Sequence, residues 1–274
     1  MQYSSSADPK TQSYFEPSRL AVAPADRKHR LDPPKSLVQR GVRALGDGLE
    51  SFVVRMSVHG DPPFYDTSLF PWVREVEAEW RLIRTELDRI MPERERLPNF
   101  HEILEPVKTI TTDAQWKTYW LAAVGVDCSE NQRRFPETMR ILNRIPGMKN
   151  AFFSILSPGK YIPPHRGAYN GILRFHLGLI VPEPKEKCRI RVAREVRHWE
   201  EGKSLVFDDT FNHEVWNETD GLRAVLFVDF ARPLKGAFNS LNERMISMGA
   251  LAPAMREAND NLQQWSKEFY KRDN

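Results

Sequence analysis

Between Leu69 and Ile90 the apolar residues Phe70, Val73, Val76, Trp80, Ile83, Leu87 and Ile90 recur every three or four positions, with charges between them. That spacing predicts one amphipathic helix whose aromatic stripe faces a core. Pro71 suits its first turn and Pro92 its end. A weaker stripe runs through residues 36–58, where Leu45, Leu49, Phe52 and Val53 keep helical spacing while Gly41, Gly46 and Gly48 weaken it. Arg40, Arg43 and Arg55 lie beside that stripe. A packed helix is the first reading, and a helix for a membrane surface or a partner the second. A third helical segment, Phe135 to Ile145, is closed by Pro146-Gly147, and the aromatic run Trp116-Lys-Thr-Tyr-Trp120 before it is assigned mainly to packing.

After Gly147 the pattern changes. Ala151–Ser157, Ile172–Val181, Cys188–Ala193, Ser204–Phe207, His213–Trp216 and Arg223–Phe230 are short, apolar and β-rich, separated by Pro, Gly and Asn. Such a series predicts an antiparallel sandwich or jelly roll. The expected architecture is α+β. Residues 1–35, rich in Ser, Pro, Asp and Lys, form a flexible arm; 36–147 form a helical region packed on the β-rich core of 148–235; and 236–274 form a helical extension.

Composition narrows the field. A net charge of +3 from 40 basic and 37 acidic residues gives no pointer to nucleic acid. Cys128 and Cys188 match no zinc spacing and read as free thiols in a reducing compartment. No apolar run is long enough to span a bilayer, and the polar Met1-Gln-Tyr-Ser-Ser-Ser6 lacks the centre of a signal peptide. The expected location is the cytoplasm, with peripheral contact to the inner face of a membrane left open.

Alternation along Ile172-Leu-Arg-Phe-His-Leu-Gly-Leu-Ile180 puts Arg174 and His176 on one face and Leu173, Phe175, Leu177 and Leu179 on the other. The apolar face must pack, so Arg174 and His176 look into solvent or into a polar cavity between sheets. Arg223 opens a very apolar strand, where it is either a solvated strand end or a clamp for a carboxylate. His165 and His213 lie on strand-like runs and are candidate metal ligands; imidazole suits iron, copper and zinc alike. Spacing alone does not choose between His213 and its neighbours Asp208 and Asp209. His29, His59, His101 and His198 read as surface or structural histidines.

The run from Phe153 to Pro233 resembles the aspartyl/asparaginyl β-hydroxylase family of iron(II)- and 2-oxoglutarate-dependent dioxygenases. The matching stretches are Phe153-Ser-Ile-Leu-Ser-Pro-Gly159, Pro164-His-Arg-Gly167, Leu173-Arg-Phe-His-Leu-Gly-Leu-Ile-Val-Pro182, Trp199-Glu-Glu-Gly-Lys203, Phe207-Asp-Asp-Thr-Phe-Asn-His-Glu-Val-Trp216 and Arg223. The resemblance implies a double-stranded β-helix of the cupin-like, jelly-roll kind. It implies His165 and His213 as iron ligands and catalytic centre. It implies Arg223 and Ser154 on the far carboxylate of 2-oxoglutarate, and Arg174 and His176 near its metal-side end. Molecular oxygen is the third reactant. Gly167 stands where most such enzymes carry a carboxylate ligand; the resemblance implies a water there, with Asp208 or Asp209 in support. The expected substrate is an aspartyl or asparaginyl residue of a peptide, or an amino-acid-like molecule. A lipid acyl chain is the second reading. A catalytically inactive metal-binding module on the same fold is the third.

Overall fold

Both faces of the strand Ile172–Ile180 lie inside the protein, and that decides the architecture. Leu173, Phe175, Leu177 and Leu179 are fully buried in a core under helices, while Arg174 and His176 point between two sheets. The polar-cavity alternative is therefore the one realised. The computed structural model describes residues 37–271, with side chains from Ala44 onward. The expected arm, 1–35, lies outside the described residues.

The strands are β1 Phe64–Tyr65, β2 Trp116–Ala122, β3 Met148–Leu156, β4 Tyr161–His165, β5 Ile172–Ile180, β6 Cys188–Val192, β7 Glu195–His198, β8 Ser204–Phe207, β9 His213–Asn217 and β10 Arg223–Ala231. They form a larger sheet in the order β1-β8-β5-β10-β3-β2 and a smaller one in the order β4-β9-β6-β7. Every pairing of these strands is antiparallel. From β3 onward the chain passes back and forth, with β3, β5, β8 and β10 in the larger sheet and β4, β6, β7 and β9 in the smaller. This is the double-stranded β-helix, and the class is α+β as expected.

The helices are α1 Leu37–Met56, α2 Pro71–Ala78, α3 Trp80–Ile90, α4 Phe100–Ile103, α5 Ser129–Arg133, α6 Pro136–Leu142, α7 Phe238–Met248 and α8 Pro253–Tyr270. Side chains from α2, α3, α6 and α8 bury the outer face of the larger sheet, including Phe153, Ile155, Leu226, Val228 and Phe230. Its inner face carries Phe152, Val225 and Phe227, which pack on Ile162, Ile190, Val192 and Val215 of the smaller sheet. A strand covered on both sides needs apolar residues at every position, which is why β10 shows almost no alternation.

Two elements differ from expectation. The helix predicted over 69–90 is broken at Glu79, whose backbone (φ −107°, ψ 13°) leaves the helical region. Its carboxylate holds Arg140 and Arg144 at the break. Each half keeps its own buried stripe, Trp72, Val73 and Val76 in α2 and Ile83 and Leu87 in α3. The second difference is Trp116–Trp120, which forms an edge strand of the larger sheet. The N-terminal half is thus not purely helical. Between α6 and β3 the chain turns at Gly147, with φ +67° and an ideal Cβ only 3.1 Å from Ala231 Cβ, so only glycine fits comfortably.

Beneath the sheets, Arg232 and Asp208 form an ion pair in which neither side chain is exposed. Asp208 also accepts from the Thr210 amide at 2.9 Å, and Arg232 reaches Asp61 at 3.2 Å. Removing one member of such a pair strands a buried charge. Asp208→Ala is expected to cost about 3 kcal/mol, the low end of the usual range because Asp61 remains. Urea unfolding would measure it; a change within experimental error would mean the pair is not stabilising.

Candidate active site

Strand register brings the two histidines together. β4 and β9 pair Ile162 with Val215 and His165 with His213, so β4 carries one extra residue between the pairs. That bulge falls on Pro163-Pro164, residues that cannot donate to a ladder, and it turns His165 toward its partner. The two rings end with centroids 4.0 Å apart and planes 50° tilted.

Each ring is oriented by its own strand end. Nδ1 of His165 lies 2.8 Å from the Pro163 carbonyl, and Nδ1 of His213 lies 3.0 Å from the Phe211 carbonyl. A carbonyl only accepts, so both Nδ1 atoms carry the proton and both Nε2 atoms keep a lone pair. Burial pushes His165 down to about 4 despite the Pro163 hydrogen bond, with the Arg174 charge adding to the effect. His213 is held well below its ordinary value by burial, then by His165 and Arg174. Two neutral imidazoles with fixed tautomers are the protonation state that metal coordination requires.

Deeper between the sheets lies a cationic pocket. Arg223 at the start of β10 is almost wholly buried, as is Ser154 on β3. Arg223 Nη1 stands 3.5 Å from Ser154 Oγ, and the guanidinium lies 4.5 Å over the Trp199 ring. The Trp116 indole N–H donates to Ser154 Oγ at 3.0 Å, which turns the hydroxyl's proton outward from the indole. Among the described residues, Nε of Arg223 has no hydrogen-bond partner and this guanidinium forms no ion pair with a carboxylate. Burial lowers its pKa to about 10, so it stays charged at neutral pH. His176 is buried against Phe207 and Phe227, and among the described residues neither of its ring nitrogens has a hydrogen-bond partner. Burial, then Arg223 and Arg174, hold it well below its ordinary value and therefore neutral.

Arg174 behaves differently. Its guanidinium spans two carboxylates, Asp209 at 2.9 Å and Asp229 at 3.0 Å, and lies 4.2 Å over the Phe227 ring. Its charge is already answered inside the protein. The consecutive aspartates divide their work: Asp208 faces Arg232, and Asp209 faces the histidine cavity. An ideal Cβ built on Gly167 would lie 2.3 Å from both carboxylate oxygens of Asp209. The Asp209 carboxylate therefore occupies the space where a side chain at 167 would project.

All six predicted site residues lie on strands of the two sheets: Ser154, Arg174, His176 and Arg223 on the larger, His165 and His213 on the smaller. His165 and His213 meet each other, Ser154 and Arg223 meet each other, and His176 is close enough to Arg174 and Arg223 to feel both charges. Sequence reasoning assigned Trp116 mainly to packing and gave no role to Trp199 or Asp229. Period-2 alternation over 116–122 would have put Trp116, Thr118 and Trp120 on one face, opposite Ser154 through the pair Thr118–Ser154.

A double-stranded β-helix with paired histidines and an uncompensated buried arginine is an architecture suited to oxygenase chemistry. The sequence pattern of the aspartyl/asparaginyl beta-hydroxylase family matches residues 77–233, more than half of the chain. The chain belongs to that family. It is 44% identical over 249 residues to the ornithine lipid ester-linked acyl 2-hydroxylase of Rhizobium tropici, covering 91% of this chain and 86% of that protein. It is 34% identical over 173 residues to the human aspartyl/asparaginyl beta-hydroxylase, covering 61% of this chain and 22% of that much longer protein. Among solved structures, a Pseudomonas putida prolyl-4-hydroxylase aligns with a TM-score of 0.35 and 20% identity over 68% of this chain and 99% of that one.

Proposed function

We propose that this protein is an iron(II)- and 2-oxoglutarate-dependent hydroxylase acting on a lipid acyl chain. The Arg223 guanidinium carries the reading: buried, still charged, and without an ion-paired carboxylate among the described residues. An unanswered buried cation costs several kcal/mol, so the pocket favours an anion of matching shape. The far carboxylate of 2-oxoglutarate, held by Arg223 and the Ser154 hydroxyl, would answer it.

His165 and His213 would hold the metal through Nε2, with the Pro163 and Phe211 carbonyls fixing ring orientation. The donor set fits a two-imidazole site: the two rings lie with centroids 4.0 Å apart, and each has its Nδ1 held by a carbonyl so that Nε2 keeps its lone pair. Asp209, rather than Asp208, is then the carboxylate available to support the third position left by Gly167, acting through a water. Arg174 and His176 would line the metal-side end of the cosubstrate. Arg174, pinned by Asp209 and Asp229, holds that end in a fixed geometry. The bound iron, with 2-oxoglutarate and oxygen, supplies C–H oxidation in which one oxygen atom ends on the substrate carbon and the other in succinate, with carbon dioxide released.

For the substrate, the Rhizobium tropici protein is a relative that spans nearly the whole chain, and by its name it acts on an ester-linked acyl group. That favours the acyl C2 position of an amino-acid-containing lipid over the peptide residue expected first. The human relative, matched over less of the chain, supports the peptide reading. The deciding experiment supplies iron(II), ascorbate, 2-oxoglutarate and oxygen with bacterial lipid extract or acidic peptides. Succinate is expected to form together with a gain of one oxygen on an acyl chain. Oxygen gained on the peptides alone would replace the substrate; no stimulated turnover with either would reject it. In the same assay Arg223→Ala is expected to raise the KM for 2-oxoglutarate by about a hundredfold, the loss of a charge-assisted bidentate contact. An unchanged KM would remove Arg223 from the clamp.

A further inference from the structure

Outside the cavity, α1 and α7 expose an apolar ridge. Phe238, Leu241, Met245 and Met248 recur at helical spacing along α7, on the flank of the side that buries Asn242 and Ile246. Leu241 is 50% exposed and Met248 66%, and Leu251, just beyond, is 66% exposed. On α1, Leu45 is 77% exposed. Phe52 of α1 meets Phe238 of α7 edge to face at 5.1 Å, so the two helices present one continuous surface. Apolar side chains gathered like this mark a docking face rather than scattered exposure.

Charge selects the occupant. Arg55, Lys235 and Arg244 stand exposed at the edges of the ridge, and among the described residues none is held in an ion pair. The acidic residues of the two helices are Asp47 and Glu243, both half-buried, and Glu50, which is buried and paired with Arg166 at 2.7 Å. An apolar strip edged by unopposed cations complements an anionic lipid surface. The ridge is also tied to the cavity. The segment after His165 is clasped by both helices: Arg166 by Glu50, the Asn170 side chain onto the Glu50 carbonyl at 2.9 Å, and Tyr169 by Asn242 at 2.8 Å.

We propose that the outer faces of α1 and α7 dock the protein on an anionic phospholipid membrane, beside the segment that leads out of the histidine pair. The proposal does not depend on the chemistry above, so it is tested on the metal-free full chain without 2-oxoglutarate. The probe is co-sedimentation with vesicles of phosphatidylglycerol and phosphatidylcholine, against pure phosphatidylcholine. Binding is expected to the anionic vesicles only and to weaken with salt. Arg244→Ala and Lys235→Ala are each expected to weaken it about fivefold. The exposed double substitution Leu241→Ser with Met248→Ser is expected to weaken it more than about tenfold, with an unchanged circular dichroism spectrum. Failure of the full chain to bind anionic vesicles, or equal binding by the double variant, overturns the proposal. So does a dimer in solution that the double variant splits, because a second copy would then own the face. So does binding that emerges only after residues 1–36 are deleted, because that segment would then cover it.

Discussion

His213→Ala is expected to abolish hydroxylation. Two imidazoles are the protein's proposed hold on the metal, and the register pair His165–His213 sets them side by side. The variant keeps His165 but loses one of two ligands and the Nδ1–H that answers the Phe211 carbonyl. Disturbing only the hydrogen-bond partner of a metal ligand already costs about 10- to 100-fold, so deleting the ligand should cost more, on the order of a thousandfold or beyond. Anaerobic iron(II) titration and oxygen incorporation would be read together. Weak metal binding with no product is the expected pair of results. His198→Ala serves as control, since His198 lies on β7, at the opposite edge of the smaller sheet from β4, and its ring nitrogen bonds the Lys185 carbonyl. Full turnover by His213→Ala would remove His213 from the ligand set, and equal loss by His198→Ala would point to general destabilisation.

The sequence made parts of this site readable and hid others, for separable reasons. That Arg174 and His176 share a face is legible because β5 alternates strictly: four leucine and phenylalanine side chains claim the other face; whether the shared face meets solvent or a second sheet is not. Arg223 is not legible from spacing alone. β10 is buried on both sides, so alternation disappears and a strand-end charge looks like any other. Trp116 escaped because Lys117, between it and Thr118, imitates a solvated position. In the fold Lys117 is buried and its ammonium donates to the Glu95 and Leu97 carbonyls at 3.1 and 3.0 Å. Asp208 and Asp209 cannot be separated by reading, since adjacent residues project oppositely and either could face the cavity. Only their ion-pair partners, Arg232 for Asp208 and Arg174 for Asp209, decide between them. The family resemblance supplied the roles; the geometry shows which of those side chains meet, His165 with His213 and Ser154 with Arg223.

That division between the aspartates gives the second large effect. Restoring a carboxylate at the usual ligand position, Gly167→Asp, is expected to damage the enzyme rather than improve it. The new Cβ would meet both Asp209 oxygens at 2.3 Å, well inside contact distance. Retreat is restricted, because the Gly167 amide donates to the Asp209 carbonyl at 2.7 Å and Arg174 holds the Asp209 side chain at 2.9 Å. Overpacking of this kind costs about 1–3 kcal/mol. A second carboxylate beside the first adds like-charge repulsion that the single Arg174 guanidinium, already shared with Asp229, is poorly able to offset. Turnover is expected to fall about a hundredfold or more, which corresponds to about 2.7 kcal/mol or more of lost transition-state stabilisation. Gly167→Ala, with the same Cβ and no charge, should fall less and so separate the steric from the electrostatic part. The compensated variant, Gly167→Asp with Asp209→Gly, removes the obstructing carboxylate and should recover activity relative to Gly167→Asp alone. Full activity or tighter iron binding in Gly167→Asp by itself would show that Asp209 does not occupy this space in the working enzyme.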